Sequence, residues 1–305
     1  MKMRKTKGWV DLQVNGYIGI DFSSMALTKD DARKACREIF LSGTAIFLPT
    51  IITSPDEVYE RNLPLLAEVI GDKEFSGKIP GFHLEGPFLS TEKGASGAHN
   101  PKWMIKPDVS YFKKLSNLCG GKIKMLTVAA EVEGVCKLIK YASKSGTTVS
   151  LGHQLANSAD LAKAAAAGAK ALTHLGNGLP NLLPRHPNTI WDGIAEDALV
   201  PMIITDGHHL PYSVIKTIIR AKGADNCIVV SDAAPIAGLK PGKYSNLGGD
   251  VVLEKNGRLH NPALGCLSGS SFSMTKCMNY LKGLNLLSDK ELIKVGYENP
   301  LRLIG

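Results

Sequence analysis

The sequence predicts one α/β domain, a (β/α)8 TIM-like barrel. Three observations point there. Short apolar runs alternate with amphipathic stretches from end to end, a pattern that places helices over a parallel sheet. The apolar runs number eight and are nearly continuous, as in strands buried on both faces. No GxGxxG turn follows an early run, so an open doubly wound sheet, the structural alternative, lacks its usual mark.

The elements follow in order. "WVDLQV" is the first strand and "TAIFLPTII" the second. Between them "TKDDARKACREIFLSG" reads as a helix capped by Thr28 and stopped at Gly43, the usual terminal chemistry. "DEVYERNLPLLAEVIG" is a helix that carries Pro64, and "IPGFHLEG" and "KIKMLTVAAE" are strands three and four. "GVCKLIKYASKSG" is a helix before strand five, "TTVSLGH". "SADLAKAAAAG" is a helix with Ser158 as cap and Gly168 as stop. "AKALTHLGN", "VPMIITDGHH" and "NCIVVSDA" complete the eight strands. Residues 239–262 break the rhythm, and "DVVLEKNGRL" reads there as a β-hairpin turning at Asn256-Gly257. The expectation is therefore a single domain over 1–305, with a basic tail at 1–8 and a hairpin insertion at 239–262.

Composition excludes several classes. Apolar residues make up 44% of the chain and charged residues 21%, ordinary for a soluble globular protein. No apolar run nears the roughly 18 residues of a membrane span, and no apolar segment follows the basic start "MKMRKTKGWV", so it does not read as a secretion signal. The six cysteines lack paired spacing, which suits free thiols in the cytoplasm. The net charge of +8 comes from dispersed lysines; the one dense group, Lys2, Arg4, Lys5 and Lys7, has no interleaved aromatics. That excludes a nucleic-acid surface and leaves a small anionic substrate.

Barrel enzymes carry their chemistry at the C-terminal ends of the strands. Polar residues directly follow the apolar runs there: Gln13 and Asn15, Glu85, Glu131, His153, His174, Asp206 and His209, and Asp232. So many ionisable groups at one mouth would be costly unless paired or bound to a metal. Glu85, His153 and His174 supply one carboxylate and two imidazoles, the ligand count of a catalytic zinc site with an open position; iron or another divalent ion would also suit them. Asp232 is the natural proton carrier beside such a site. Glu131 reads as structural, partnering a lysine or capping the next helix. His83, two residues before Glu85, shares its face one layer deeper.

"FHLEGPFLS…KGASGAHNP", "LGH", "THLGNGLP", "ITDGHHL", "VVSDAAPIAG" and "LSGSSFSM" resemble, in order and over nearly the whole chain, the N-acetylglucosamine-6-phosphate deacetylases of the amidohydrolase superfamily. The resemblance implies that Glu85, His153 and His174 hold one metal, and that Asp232 is general base and then general acid. It implies that His99 contacts the acetyl carbonyl and a sugar hydroxyl. Asn177, Gly178 and Arg185 would bind the sugar phosphate, and His209 would reach a neighbouring subunit's site, which implies a homodimer. Some members carry His-x-His on strand one and bind two metals, whereas others carry Gln-x-Asn and use one; Gln13-x-Asn15 is similar to the second kind. Gln13 and Asn15 would then line the second-metal position and bond a water or the substrate.

The expected activity is hydrolysis of the acetamide of N-acetylglucosamine 6-phosphate with one divalent ion, zinc in first place. Two other readings stand beside it. One is a deacetylase or amidohydrolase for another N-acyl sugar, phosphorylated or free, suggested by the altered loop around Arg185. The other is a non-catalytic binding protein, suggested by the amides at 13 and 15. The family's accessory β-sandwich is expected to be absent or reduced to the 239–262 insertion.

Overall fold

A computed structural model describes residues 8–246 and 249–305; the basic group at residues 2–7 lies outside the described residues. Eight parallel strands form one sheet in chain order: β1 Trp9–Val14, β2 Thr44–Ile52, β3 Phe82–Glu85, β4 Ile123–Val128, β5 Thr148–Leu151, β6 Ala169–Leu172, β7 Val200–Ile204 and β8 Ile228–Val230. β8 returns to β1 through a parallel bridge between Val14 and Ala233 and a bond from Asn15 N–H to the Ala233 carbonyl at 2.8 Å. That closes the barrel, as the eight apolar runs predict.

The seam between β8 and β1 is polar. The Asp11 carboxylate accepts the Ser231 backbone N–H at 3.1 Å and also the Ser231 hydroxyl. Burial pushes the Asp11 carboxyl up to about 7 against the pull of those two bonds.

The interior is layered. Val10, Leu12, Leu48, Met125, Met202, Ile204, Ile228 and Val230 pack with Ile304 of the terminal helix Asn299–Ile304. That helix plugs the bottom, and its Leu303 carbonyl accepts from Thr148 Oγ1 at 2.9 Å. Above lies a buried polar layer. His83 bonds the Leu12 carbonyl at 3.0 Å and Thr127 Oγ1 at 2.7 Å, and Thr127 continues through Thr173 to Ser150. Each member has a partner, so the layer carries no orphan cost. His83 is thus one layer beneath Glu85, as the two-residue period requires.

Local signals hold with two differences. Thr28 caps Lys29–Leu41 by accepting from Asp31 N–H, and Pro64 sits inside Asp56–Val69. The helix Ser158–Ala167 is capped by Asn157, not Ser158. The Asn157 side chain reaches the N–H groups of Ala159 and Asp160, and Asp160 closes a capping box. The insertion is larger than one hairpin. It is a four-stranded antiparallel sheet of β9 Gly242–Asn246, β10 Gly249–Leu253, β11 Leu259–Asn261 and β12 Cys266–Leu267, and it runs past residue 262. The β10–β11 turn contains Asn256-Gly257, as expected, with Val252 opposite His260. Among the described residues no helix is long and apolar enough to cross a membrane.

Candidate metal centre and active site

The C-terminal strand ends open into a cavity of about 1000 Å³, at the upper end of the range for small-molecule sites. Glu85 ends β3 at its floor and is buried. Its Oε1 lies 2.9 Å from His174 Nε2, 3.2 Å from His153 Nε2 and 2.9 Å from Gln13 Nε2. The three imidazoles also converge. His153 Nε2 is 3.1 Å from His174 Nε2 and 3.2 Å from His99 Nε2.

This donor set fits a metal ion. Ligand bonds of about 2.0–2.1 Å in a tetrahedron place neighbouring donors roughly 3.3 Å apart, close to the spacings here. His153 gives its other ring nitrogen to the Ala95 carbonyl at 2.8 Å, the outer bond that orients a ligating imidazole. Although Glu85 is buried, the bonds from His153 and His174 hold its carboxyl well below the usual range, so it is anionic. Burial lowers His174, but the Glu85 carboxylate outweighs it and the ring is raised. The field that draws a proton there also draws a divalent ion. Among the described residues Glu85, His99 and His153 form a buried three-donor set, with His99 Nε2 3.7 Å from Glu85 Oε2, and His174 Nε2 lies within 3.1 Å of both Glu85 Oε1 and His153 Nε2.

Backbone strain marks the same residues. His153, His174 and Asp232 have positive φ of 50°, 29° and 49°. Left-handed conformations cost non-glycine residues free energy and gather at functional sites. Each of these residues lies just beyond a strand end, where the turn aims its side chain inward. Asp232 Oδ1 accepts from Asn15 Nδ2 at 2.7 Å. Burial, with the Glu85 charge adding to it, pushes the Asp232 carboxyl up to about 6.

No protein-family model matches the chain. The N-acetylglucosamine-6-phosphate deacetylase of Bacillus subtilis is 31% identical over 301 residues, covering 98% of this chain and 74% of that protein. The chain belongs to the N-acetylglucosamine-6-phosphate deacetylase family. A solved deacetylase of this family from Mycobacterium smegmatis superposes with a TM-score of 0.88 at 26% identity, covering 98% of this chain and 78% of that one. One from Thermotoga maritima gives 0.85 at 27% identity with the same coverage.

Within this deacetylase-family barrel, Asn15, Glu85, His99, His153, His174, Asn177, Gly178, His209 and Asp232 all border the cavity. Gly178 packs so close to His153 that a Cβ there would sit 2.7 Å from His153 Nδ1. Three further candidates take these positions. Arg185 is exposed and lies outside the cavity lining, although the same loop lines the cavity as far as Leu182. The cations that do line the cavity are Lys93 and Arg258. His209 borders the cavity of its own chain, held by Asp206 Oδ2 at 2.8 Å. Glu131 neither pairs a lysine nor caps a helix; its Oε1 accepts the Leu155 N–H at 2.7 Å.

Gln13 and Asn15 each donate to a carboxylate of the site, Glu85 and Asp232. Sequence reasoning missed Lys93 and Arg258. Arg258 sits in the insertion, and nothing in its neighbours says that this sheet forms a wall of the mouth.

Proposed function

We propose that the chain hydrolyses N-acetylglucosamine 6-phosphate to glucosamine 6-phosphate and acetate. The observation that carries this is the convergence of Glu85 and three imidazoles beside Asp232 at one cavity floor, in a chain of this family. Glu85, His153 and His174 would hold one divalent ion, zinc first by donor type. The ion would polarise the acetyl carbonyl and lower the pKa of the attacking water to about 7.

The remaining work falls to the chain's own side chains. Asp232, held by Asn15 Nδ2 at 2.7 Å beside the donor cluster, takes the proton from the water and returns it to the leaving nitrogen, serving first as base and then as acid. A C–O bond forms at the acetyl carbon, the C–N bond breaks, and the amine leaves with that proton. His99, pushed down to about 3 by burial and by His153, is neutral and donates to the acetyl oxygen. Gln13 steadies Glu85. Asn177 and Gly178 offer polar backbone to the sugar, and Lys93, Arg258 and His209 offer positive or donor groups to the phosphate.

The place of Arg185, exposed and outside the cavity lining, favours one alternative, a free N-acyl sugar as substrate. Acetate release from phosphorylated and free N-acetylglucosamine separates the two, and equal kcat/KM would favour the free sugar. Asp232→Asn should keep the metal and lose about 100-fold or more in kcat; full turnover would remove Asp232 from the mechanism.

A further inference from the structure

Asn15 holds an unspent acceptor beside the proton carrier. Its side chain is buried, it lines the cavity, and its Oδ1 has no hydrogen-bond partner. Its Nδ2 is committed to Asp232 at 2.7 Å. A base begins as a carboxylate, which only accepts hydrogen bonds, so the amide must turn its NH2 to Asp232 and its carbonyl away. Amide bond lengths then place Oδ1 within about 5 Å of Asp232 Oδ1. A buried acceptor left unpaired is costly, so the position calls for a donor.

We infer that Asn15 Oδ1 accepts the N–H of the scissile acetamide. This rests on the proposed deacetylation and adds a substrate contact to it. Asp232 must reach the leaving nitrogen to protonate it, so that nitrogen lies next to Asn15 in any productive pose. The substrate amide has one N–H, and of the two unpaired amide oxygens at the site, Gln13 Oε1 and Asn15 Oδ1, the one on the side chain bonded to Asp232 is that of Asn15. The contact also orients the reaction. Once the acetyl carbon is tetrahedral, the nitrogen carries two carbons, one hydrogen and a lone pair. Holding the hydrogen on Asn15 Oδ1 turns the lone pair towards the proton on Asp232. The nitrogen takes that proton, the C–N bond breaks, and Asn15 keeps its bond to the free amine.

The test compares two substrates in each enzyme: N-acetylglucosamine 6-phosphate, and the 2-O-acetyl ester of glucose 6-phosphate, which has oxygen where the N–H was. The amide-to-ester ratio of kcat/KM is independent of the fraction of folded, metal-loaded enzyme. Asn15→Ala, with Asn15→Ser as the milder variant, should lower that ratio at least tenfold. Because a weakened Asp232 also favours the ester, the ratio is measured again in the Asp232→Asn background, where Asn15→Ala should still lower it; equal losses on both substrates, or no further fall in that background, would mean that Asn15 serves only Asp232 and would overturn the inference. Failure of the wild-type enzyme to release acetate from the amide would instead overturn the proposed function.

Discussion

Gly178 shows how a single hydrogen atom can protect a ligand. Its φ is 62°, and a Cβ there would lie 2.7 Å from His153 Nδ1, the atom that bonds the Ala95 carbonyl. Neither the backbone nor the imidazole can give way without moving a ring fixed on both nitrogens. Gly178→Ala should therefore lower metal affinity and kcat/KM by about 10- to 100-fold, the scale on which outer contacts tune a ligating histidine. Titration with zinc beside steady-state kinetics checks this, and unchanged affinity would show that the ring relaxes freely. The residue scale also holds the answer to Gln13 and Asn15. Read as amides in a metal-ligand position, they suggested contact with water or substrate. Their partners, Glu85 and Asp232, lie 72 and 217 residues away, and no local pattern reports such pairings.

Two elements carry predictions of their own. At the β8–β1 seam, Asp11 is buried with its carboxyl raised to about 7 from an ordinary 3.8. A raised carboxyl is protonated in the folded chain while already ionised in the unfolded one. The folded state thus binds more protons between about pH 4 and 7, and stability falls as pH rises through that window. The full loss above it is on the order of 4 kcal/mol. Asp11→Asn keeps the acceptor for Ser231 N–H and should flatten this slope, as denaturant melts from pH 4 to 8 would record. An unchanged slope would mean that the seam does not hold a neutral carboxyl. The second element is the four-stranded insertion. It brings Arg258 to the cavity, 3.0 Å from Glu254, and Lys93 comes from the β3 loop. Arg258→Gln should raise KM for the phosphorylated sugar about tenfold, the scale of one charge-assisted bond, and leave the free sugar unaffected. A matching change for both sugars would argue against phosphate contact. The hairpin within this insertion was legible from Asn256-Gly257, but its extra strands were not. β9 reads GKYSN, without apolar alternation, and β12 has 2 residues, so both are defined by pairing rather than by composition.

For the whole molecule, a bound ion would couple the barrel strands. The proposed donors end β3 and follow β5 and β6, so an ion that binds only the folded chain would stabilise the entire closed barrel. Chelation should lower Tm by about 5–10 °C, and zinc should restore it. Elemental analysis should find one ion per chain. Two ions would overturn the one-metal reading, and an unaffected Tm in metal-free protein would remove the metal from the fold's stability.

The barrel class, the order of its eight strands and the positions of Glu85, His153, His174 and Asp232 were determined by the sequence alone. Burial on both faces writes an apolar run for each strand, and the first polar residue after each run marks the mouth. Only the tertiary structure decided that His99 joins the imidazole cluster, that Arg185 lies outside the cavity lining while Arg258 and Lys93 are part of it, and that His209 borders the cavity of its own chain. It also decided that the amides on β1 bind carboxylates. Periodicity records which face a residue takes within its own element. Which loops fold over the mouth, and which distant side chains meet there, depends on closing the barrel, and contacts made across that closure leave no period in the chain.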